Sequence, residues 1–229
     1  MQSLQDTLPT LTPFQKKQYE QIIGHLKSDT SANIQLVLLL ATIDMDTCVE
    51  DQGKIFPKEI PSPDSPHGMS VIVCLQYPAS RGSVHIKSGK VDDHPAIEPA
   101  YLTHSADAAV LAVALRMADR ACRSEHISGK IQKRTDPAEE RNLQDLQQAK
   151  DWVHHFVMSE YHPCGSCAIG AALDTRLRVK GAQALRVIDA SVFPNNLSGN
   201  IVSSVYAVAE KGADLIKQDW DHAALRQFT

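Results

Sequence analysis

The sequence predicts an α+β fold in which an antiparallel sheet is flanked by helices. Two observations carry this. Short β-branched runs near 34–43, 69–78 and 83–87 follow one another with no helical stretch between them, and parallel pairing would require such a crossover. Two longer stretches, 106–124 and 137–157, place apolar residues at helical spacing and would cover the sheet. We expect about four to six strands, a common sheet size. At 229 residues the chain can bury a core without metals or disulfides. It therefore reads as one domain over 1–229, with residues 1–32 a helical extension within it.

In chain order, "TPFQKKQYEQIIGHLKSD" opens on Thr12-Pro13 and sets Phe14, Tyr19, Ile22, Ile23 and Leu26 near one face, which predicts a helix over 13–28. "NIQLVLLLATI" and "MSVIVCLQYP" read as buried strands. Between them "DQGKIFPKEIPSPDSPHG" holds four prolines and must be a loop. "RGSVHIKSG" alternates Val84 and Ile86 with polar residues between glycines, the pattern of a half-buried antiparallel strand. "SADAAVLAVALRMADRACRS" starts on a Ser cap and continues as a helix. "DPAEERNLQDLQQAKDWVHHFVMSE" offers Asp136 as cap and Pro137 at the first helical position. "ALRVIDAS" reads as a short buried strand. "GNIVSSVYAVAEKGADLIKQDW" is a final helix with Gly199 and Asn200 at its start.

The composition narrows the classes of function. Hydrophobic residues are 43% and charged residues 22% of the chain, and the net charge is −4, so there is no basic footprint for nucleic acid. The first residues lack the basic start and apolar run of a secretory signal. The most apolar stretch is too short to span a bilayer. A soluble, cytoplasmic protein is expected, without nucleic-acid or membrane partners. Of the five cysteines, Cys48, Cys74 and Cys122 sit among apolar neighbours and read as buried free thiols.

Residues 159–170, "SEYHPCGSCAIG", concentrate chemistry. Cys164 and Cys167 have the spacing of a zinc knuckle, with His154, His155 and His162 near, but a second CxxC or HxxxH partner is missing. No metal is expected. A redox pair would start a helix after a strand, and here a helix precedes it. A phosphate loop would need the Lys-Ser/Thr that "GSCAIGAA" lacks. A tight glycine-rich loop around a buried Cys167 satisfies the composition equally well.

The flanking sequence adds more. "YHPCGSCAIG" followed by "LDTRLRVKGAQALRVIDASVFPNNLSGNIVSSVYAVAEKGADLIKQ" resembles the C-terminal signature of the glucose-methanol-choline (GMC) oxidoreductases. That signature is a histidine, Pro or Gly, Gly-Thr-Cys, then Leu-Arg-Val-(Ala/Ile)-Asp-(Ala/Gly)-Ser and a later Asn or His. Upstream, "YPASRGSVHIKSGKVDDHPAIEPAYLTHSADAAVL" is similar to the family's Pro-x-Ser-Arg-Gly segment. The resemblance runs from about 33 to 217 in matching order, and departs at Cys164 and Ser166.

Family members bind FAD through an N-terminal Rossmann unit with a GxGxxG turn. None of the 11 glycines here forms that motif. The resemblance therefore implies a substrate-binding half without the nucleotide-binding half, and no cofactor unless a partner chain supplies FAD. Asp189, Ser191 and Asn200 would line the flavin edge. The resemblance further implies that His162 takes the proton of a substrate hydroxyl and that Asn200 hydrogen-bonds the same oxygen, with Tyr161, Cys164 and Ser198 beside the substrate. An imidazole suits acid-base work near neutral pH.

The expected function is thus a flavin-free acid-base catalyst, an isomerase, dehydratase or cyclase. Its substrate would be a small, mainly apolar molecule of secondary-metabolite type. The alternatives are the C-terminal subunit of a split FAD-dependent alcohol oxidoreductase, or a non-catalytic ligand-binding protein. A homodimer is also expected, because the nucleotide-binding half would otherwise cover Leu185, Val187, Ile188, Val205, Val208 and Leu215.

Overall fold

The computed structural model describes residues 1–56 and 68–226. The Pro-rich loop expected between the first two strands lies mostly in 57–67, outside the described residues. The elements are α1 (Gln2–Thr7), α2 (Pro13–Lys27), β1 (Ile34–Leu39), α3 (Met45–Glu50), β2 (Ser70–Leu75), β3 (Ser83–His85), β4 (Ala96–Glu98), α4 (Ser105–Cys122), α5 (Glu125–Ser128), α6 (Leu146–Phe156) and α7 (Val202–Arg226). They fall into two compact units interleaved along the chain. The first comprises residues 1–3, 32–82 and 99–160, the second residues 4–31, 83–98 and 161–229.

In the first unit β1 and β2 pair antiparallel from Ile34↔Leu75 to Leu39↔Ser70. Leu36 and Leu38 are exposed, whereas the alternating Gln35, Val37 and Leu39 are half-buried. This is the period-2 division of a strand. Helix α4 packs on the pair, and α6 packs on α4. The buried face of α4 is Ala106, Ala108, Ala112, Ala114 and Ala118, small side chains that let neighbouring backbone approach closely. Its N-cap is His104, whose Nδ1 accepts from Ala106 N at 3.2 Å, one residue ahead of the expected Ser105. Asp107 is buried at 3% exposure. Its two oxygens accept from Ala79 N and Ser80 N, each at 2.8 Å, and so fix the turn of the Pro-Ala-Ser-Arg-Gly segment.

Cys48 and Cys74 are buried and Cys122 is half-buried, all as free thiols. Burial, and then the hydrogen bond and charge of Glu160, push the Cys74 thiol up to about 12. Only the thiolate is a good nucleophile. Native protein treated with iodoacetamide at about pH 8 is therefore expected to remain unlabelled at Cys74 and to label there only after denaturation, a difference read by peptide mass spectrometry.

The second unit is built on Leu173, Leu177, Val192, Phe193 and Leu215, with Val187, Ile188, Val205 and Val208 packed around them. Helix α2 starts as expected, with Pro13 in its first turn and a reciprocal Thr12/Gln15 capping box. Helix α7 lies on the 185–188 segment, where a side chain at Gly212 would run into Ile188. Its far end is anchored by Asp219, which accepts from Arg176 at 2.7 Å and also pairs with Arg178 and Arg186. The Arg178 and Arg186 hydrogen bonds hold the Asp219 carboxyl well below the usual carboxylate range.

The α+β class and antiparallel pairing hold, but several elements differ from expectation. The described residues contain two separate two-stranded ladders, not one sheet of four to six strands. β3 pairs with β4 from Ser83↔Glu98 to His85↔Ala96, and all six residues are exposed, not half-buried. "ALRVIDAS" forms a single bridge, Arg178↔Arg186. The Asp189 side chain then accepts from Ser191 N at 2.8 Å and turns the chain into a 3-10 turn at Ala190–Val192, which ends extended pairing there. The helix expected from Pro137 begins at Leu146, capped by Asp145. The dimer residues Val187, Ile188, Val205, Val208 and Leu215 pack inside the second unit, and of the six only Leu185 is largely exposed, at 51%.

Candidate functional site

All the residues proposed for chemistry lie in the second unit. The chain enters the site at Tyr161, which is exposed and has φ +61. This left-handed step, uncommon for an aromatic residue, turns the following His162. Its ring is half-buried, and Nε2 is fully buried without a hydrogen bond to any described group. Buried polar atoms in native proteins are nearly always satisfied. An orphaned imidazole nitrogen is thus the strongest chemical signal in the unit.

The loop after His162 is held in place on one side by backbone. Gly165 has φ +90, and a Cβ there would stand 3.2 Å from Phe193 O, so both conformation and space call for glycine. Cys167 N then donates to Ser191 O at 3.0 Å and Ile169 N to Val192 O at 2.9 Å. The Cys164 thiol donates to Asn196 Oδ1 at 3.7 Å. The His162 loop and the 189–196 segment therefore form one assembly, joined by three hydrogen bonds.

A second clamp comes from α2. Gln18 is buried and its amide donates to Pro194 O. Asn195 Nδ2 donates to Gln18 O at 3.2 Å and to Gln21 Oε1 at 2.9 Å. Gln18, Asn195 and Asn196 were not singled out in the sequence. The doubled Asn-Asn after Phe193-Pro194 is the one local sign of turn chemistry that could have pointed to them.

Ser198 and Asn200 are exposed on the loop that leads into α7, on either side of Gly199 with φ +77. The structure joins Cys164 to the 189–196 segment, but Nε2 of His162 makes no hydrogen bond to Asn200. Among the described residues no group of three or more His, Cys, Asp or Glu side chains is placed to hold a metal ion. A cavity of about 450 Å³ lies against α7, lined by Leu177, Phe193, Leu197, Val208, Leu215 and the single charged group Lys211 among others. Neither His162 nor Asn200 reaches it. No helix among the described residues is long and apolar enough to cross a membrane.

Comparison with known proteins gives a consistent picture. Residues 78–209 match the family profile of the GMC oxidoreductases. The chain is 36% identical over 206 residues to Dehydrogenase mpl7 of Monascus purpureus, covering 90% of this chain and 33% of that protein. It is 36% identical over 150 residues to ecdysone oxidase of Spodoptera littoralis, covering 65% of this chain and 25% of that protein. It spans about a third or less of the length of these relatives. Among solved structures, formate oxidase of Aspergillus oryzae superposes with a TM-score of 0.71 at 24% identity over 94% of this chain and 37% of that one. Pyridoxine 4-oxidase from Mesorbium loti gives 0.65 at 26%, over 80% and 34%.

Proposed function

The chain belongs to the GMC oxidoreductase family, and from that premise we propose that it supplies the substrate-side, proton-handling part of an oxidoreductase acting on a CH–OH group. The observation that supports this is the buried, unpartnered Nε2 of His162 on a loop immobilised by Gly165, Ser191, Val192 and Asn196. A rigidly placed base with one vacant nitrogen can take a hydroxyl proton without first breaking a hydrogen bond. The exposed amide of Asn200 can then hold the same oxygen as it becomes a carbonyl.

The described residues do not supply a cradle for the phosphates of a flavin dinucleotide. Pyrophosphate needs a glycine-rich turn from a strand into a helix. Among the described residues the only positive-φ glycine just ahead of a long helix is Gly199, and no strand leads into it. No step is therefore assigned to the cofactor within this chain. In GMC oxidoreductases a flavin accepts hydride when bound; the residues here would position the alcohol and carry its proton. The substrate class carried into this proposal is a small, mainly apolar alcohol; one relative is named an ecdysone oxidase.

A second reading rests on the same geometry. Proton transfer at His162 assisted by Asn200 would also serve a flavin-free isomerase, dehydratase or cyclase, because none of those reactions needs a hydride acceptor. Assaying the purified chain with apolar alcohols and a dye acceptor, with and without the flavin-binding part of a GMC relative, separates them. Oxidation that requires both components is the expected result. Conversion of carbonyl substrates by the chain alone would favour the second reading, and binding without turnover in either assay would overturn both.

A further inference from the structure

Helix α2 touches the candidate site from both flanks, and it does so with one face. Phe14, Gln18 and Gln21 are spaced four and three residues apart, which sets them in one row along the helix. Phe14 lies against Gly170, at the far end of the loop that begins at His162: a Cβ at Gly170, where φ is +91, would stand 3.1 Å from the Phe14 ring. Gln18 and Gln21 reach the other flank. There the Gln18 amide donates to Pro194 O, and Asn195 Nδ2 donates to Gln18 O at 3.2 Å and to Gln21 Oε1 at 2.9 Å. All of these residues belong to the second unit.

Position 18 is chemically unusual for its surroundings. Helix α2 is anchored by the buried side chains of Tyr19, Ile22 and Ile23, and Gln18 beside them is only 8% exposed. A buried amide is costly unless it is hydrogen-bonded, and a leucine would fill the same place without that cost. What the amide adds is a donor for Pro194 O. Residues 194–196 belong to no helix or strand, so side chains must do what a backbone ladder does elsewhere. The link continues toward the base. Asn196 Oδ1 accepts from the Cys164 thiol, and Ser191 O and Val192 O accept from Cys167 N and Ile169 N. Pro163 alone stands between Cys164 and His162, and proline leaves that step little torsional freedom.

We propose that Gln18 is a positioning residue for His162: it pins residues 194–195 of the segment to which the His162 loop is bonded, and so fixes where the imidazole sits. The proposal rests on the reading of His162 as the group that takes the substrate proton. Gln18 acts through Pro194 and Asn195 and not on the substrate. Loosening it should therefore slow the step that depends on exact placement of the base more than it weakens binding.

The placement of His162 is read in the chain alone from its rate of reaction with diethyl pyrocarbonate, which acylates an accessible neutral imidazole, followed residue by residue by peptide mass spectrometry. With Nε2 buried, His162 should react far more slowly than the exposed His154 and His155. Gln18→Leu keeps the bulk and removes the donor. It is expected to raise the His162 rate about tenfold and to leave the rates of His154 and His155 unchanged. Gln21→Ala, at an exposed side chain, breaks one Asn195 bond without opening a cavity and should raise the His162 rate about threefold, so the outcome does not depend on Gln18→Leu folding. Ile22→Val loosens α2 through apolar contacts alone: Tm should fall by about 2–4 °C with the His162 rate unchanged. Combined with the flavin-binding part of a GMC relative, Gln18→Leu should lower kcat about tenfold and leave KM within about twofold. The proposal is overturned if the His162 rate is unchanged in both glutamine variants, if Ile22→Val raises it as much as they do, or if Gln18→Leu keeps the wild-type kcat while His162→Ala loses turnover. A raised His162 rate in the glutamine variants, in a protein whose His162→Ala form turns over at the wild-type rate, supports the positioning and overturns the acid-base reading instead.

Discussion

Replacing His162 with alanine is expected to lower turnover about 10²- to 10⁴-fold, the usual contribution of a positioned acid-base group. This is the largest effect anticipated for any single change in the chain. Nε2 makes no hydrogen bond to a described group, so the alanine variant leaves no partner unsatisfied and should keep its fold and thermal midpoint. That separates chemistry from stability in one measurement. Asn200→Ala removes one exposed hydrogen-bond donor and leaves the base in place. It is expected to cost about tenfold or less, near the worth of one neutral hydrogen bond. Added imidazole should restore part of the activity of His162→Ala and none of the activity of Asn200→Ala. An alanine variant that turns over at the wild-type rate would assign the proton transfer to another group.

His162 stands out in the sequence because its neighbours are chemically unusual in a short space: a proline, two glycines and two cysteines within nine residues. The physical role of those neighbours emerges only in three dimensions. Gly165 is required by a positive φ and by Phe193 O, and Cys164 by its thiol donating to Asn196. Partners 28 to 32 residues away leave no periodic trace in a sequence. Helix α4 was legible for the opposite reason, since its alanine face repeats at helical spacing over five turns.

The sheet was misread because β-branched runs report burial and extension, not pairing. β1 and β2 find each other in register, whereas Val84 and Val187 occur in equally strand-like runs that end differently. Val84 pairs with Ile97 in an exposed ladder. Val187 lies just before the Asp189 turn, and packs on α7's core without joining a ladder. The residues that decide these outcomes are single polar side chains, which propensity weighs lightly.

The clearest such residue is Arg134, and its counter-ion gives the second large effect. Residues 137–145 have a good helix-start sequence, yet they are not helical. The Arg134 guanidinium takes the carbonyls of Ala138, Glu139 and Arg141, which in a helix would accept from backbone four residues on. Asp119 on α4 aims that guanidinium. Its carboxylate accepts from Arg134 at 3.0 Å, from Arg123 at 2.9 Å and from Gln144 at 2.9 Å. Burial pushes the Asp119 carboxyl up, but the hydrogen bonds from Arg123 and Gln144 and the charges of Arg123 and Arg134 outweigh it and hold it below its ordinary value. Asp119→Asn would leave the Arg134 side chain, only 17% exposed, without a counter-charge. Breaking a buried pair from one side costs about 3–5 kcal/mol; with Arg123 at 64% exposure the lower figure, about 3 kcal/mol, is expected. For a chain of this length that is a fall of about 10 °C in Tm. Because the folded carboxyl ionises more readily than the unfolded one, its contribution is fully present above the unfolded value near 3.8 and is lost as pH falls through the lower folded value. The gap between wild type and Asp119→Asn should therefore be constant from about pH 5 to 8 and close below about pH 4 in thermal melts. A gap that persists unchanged into that acid range would show that Asp119 acts by shape and not by charge.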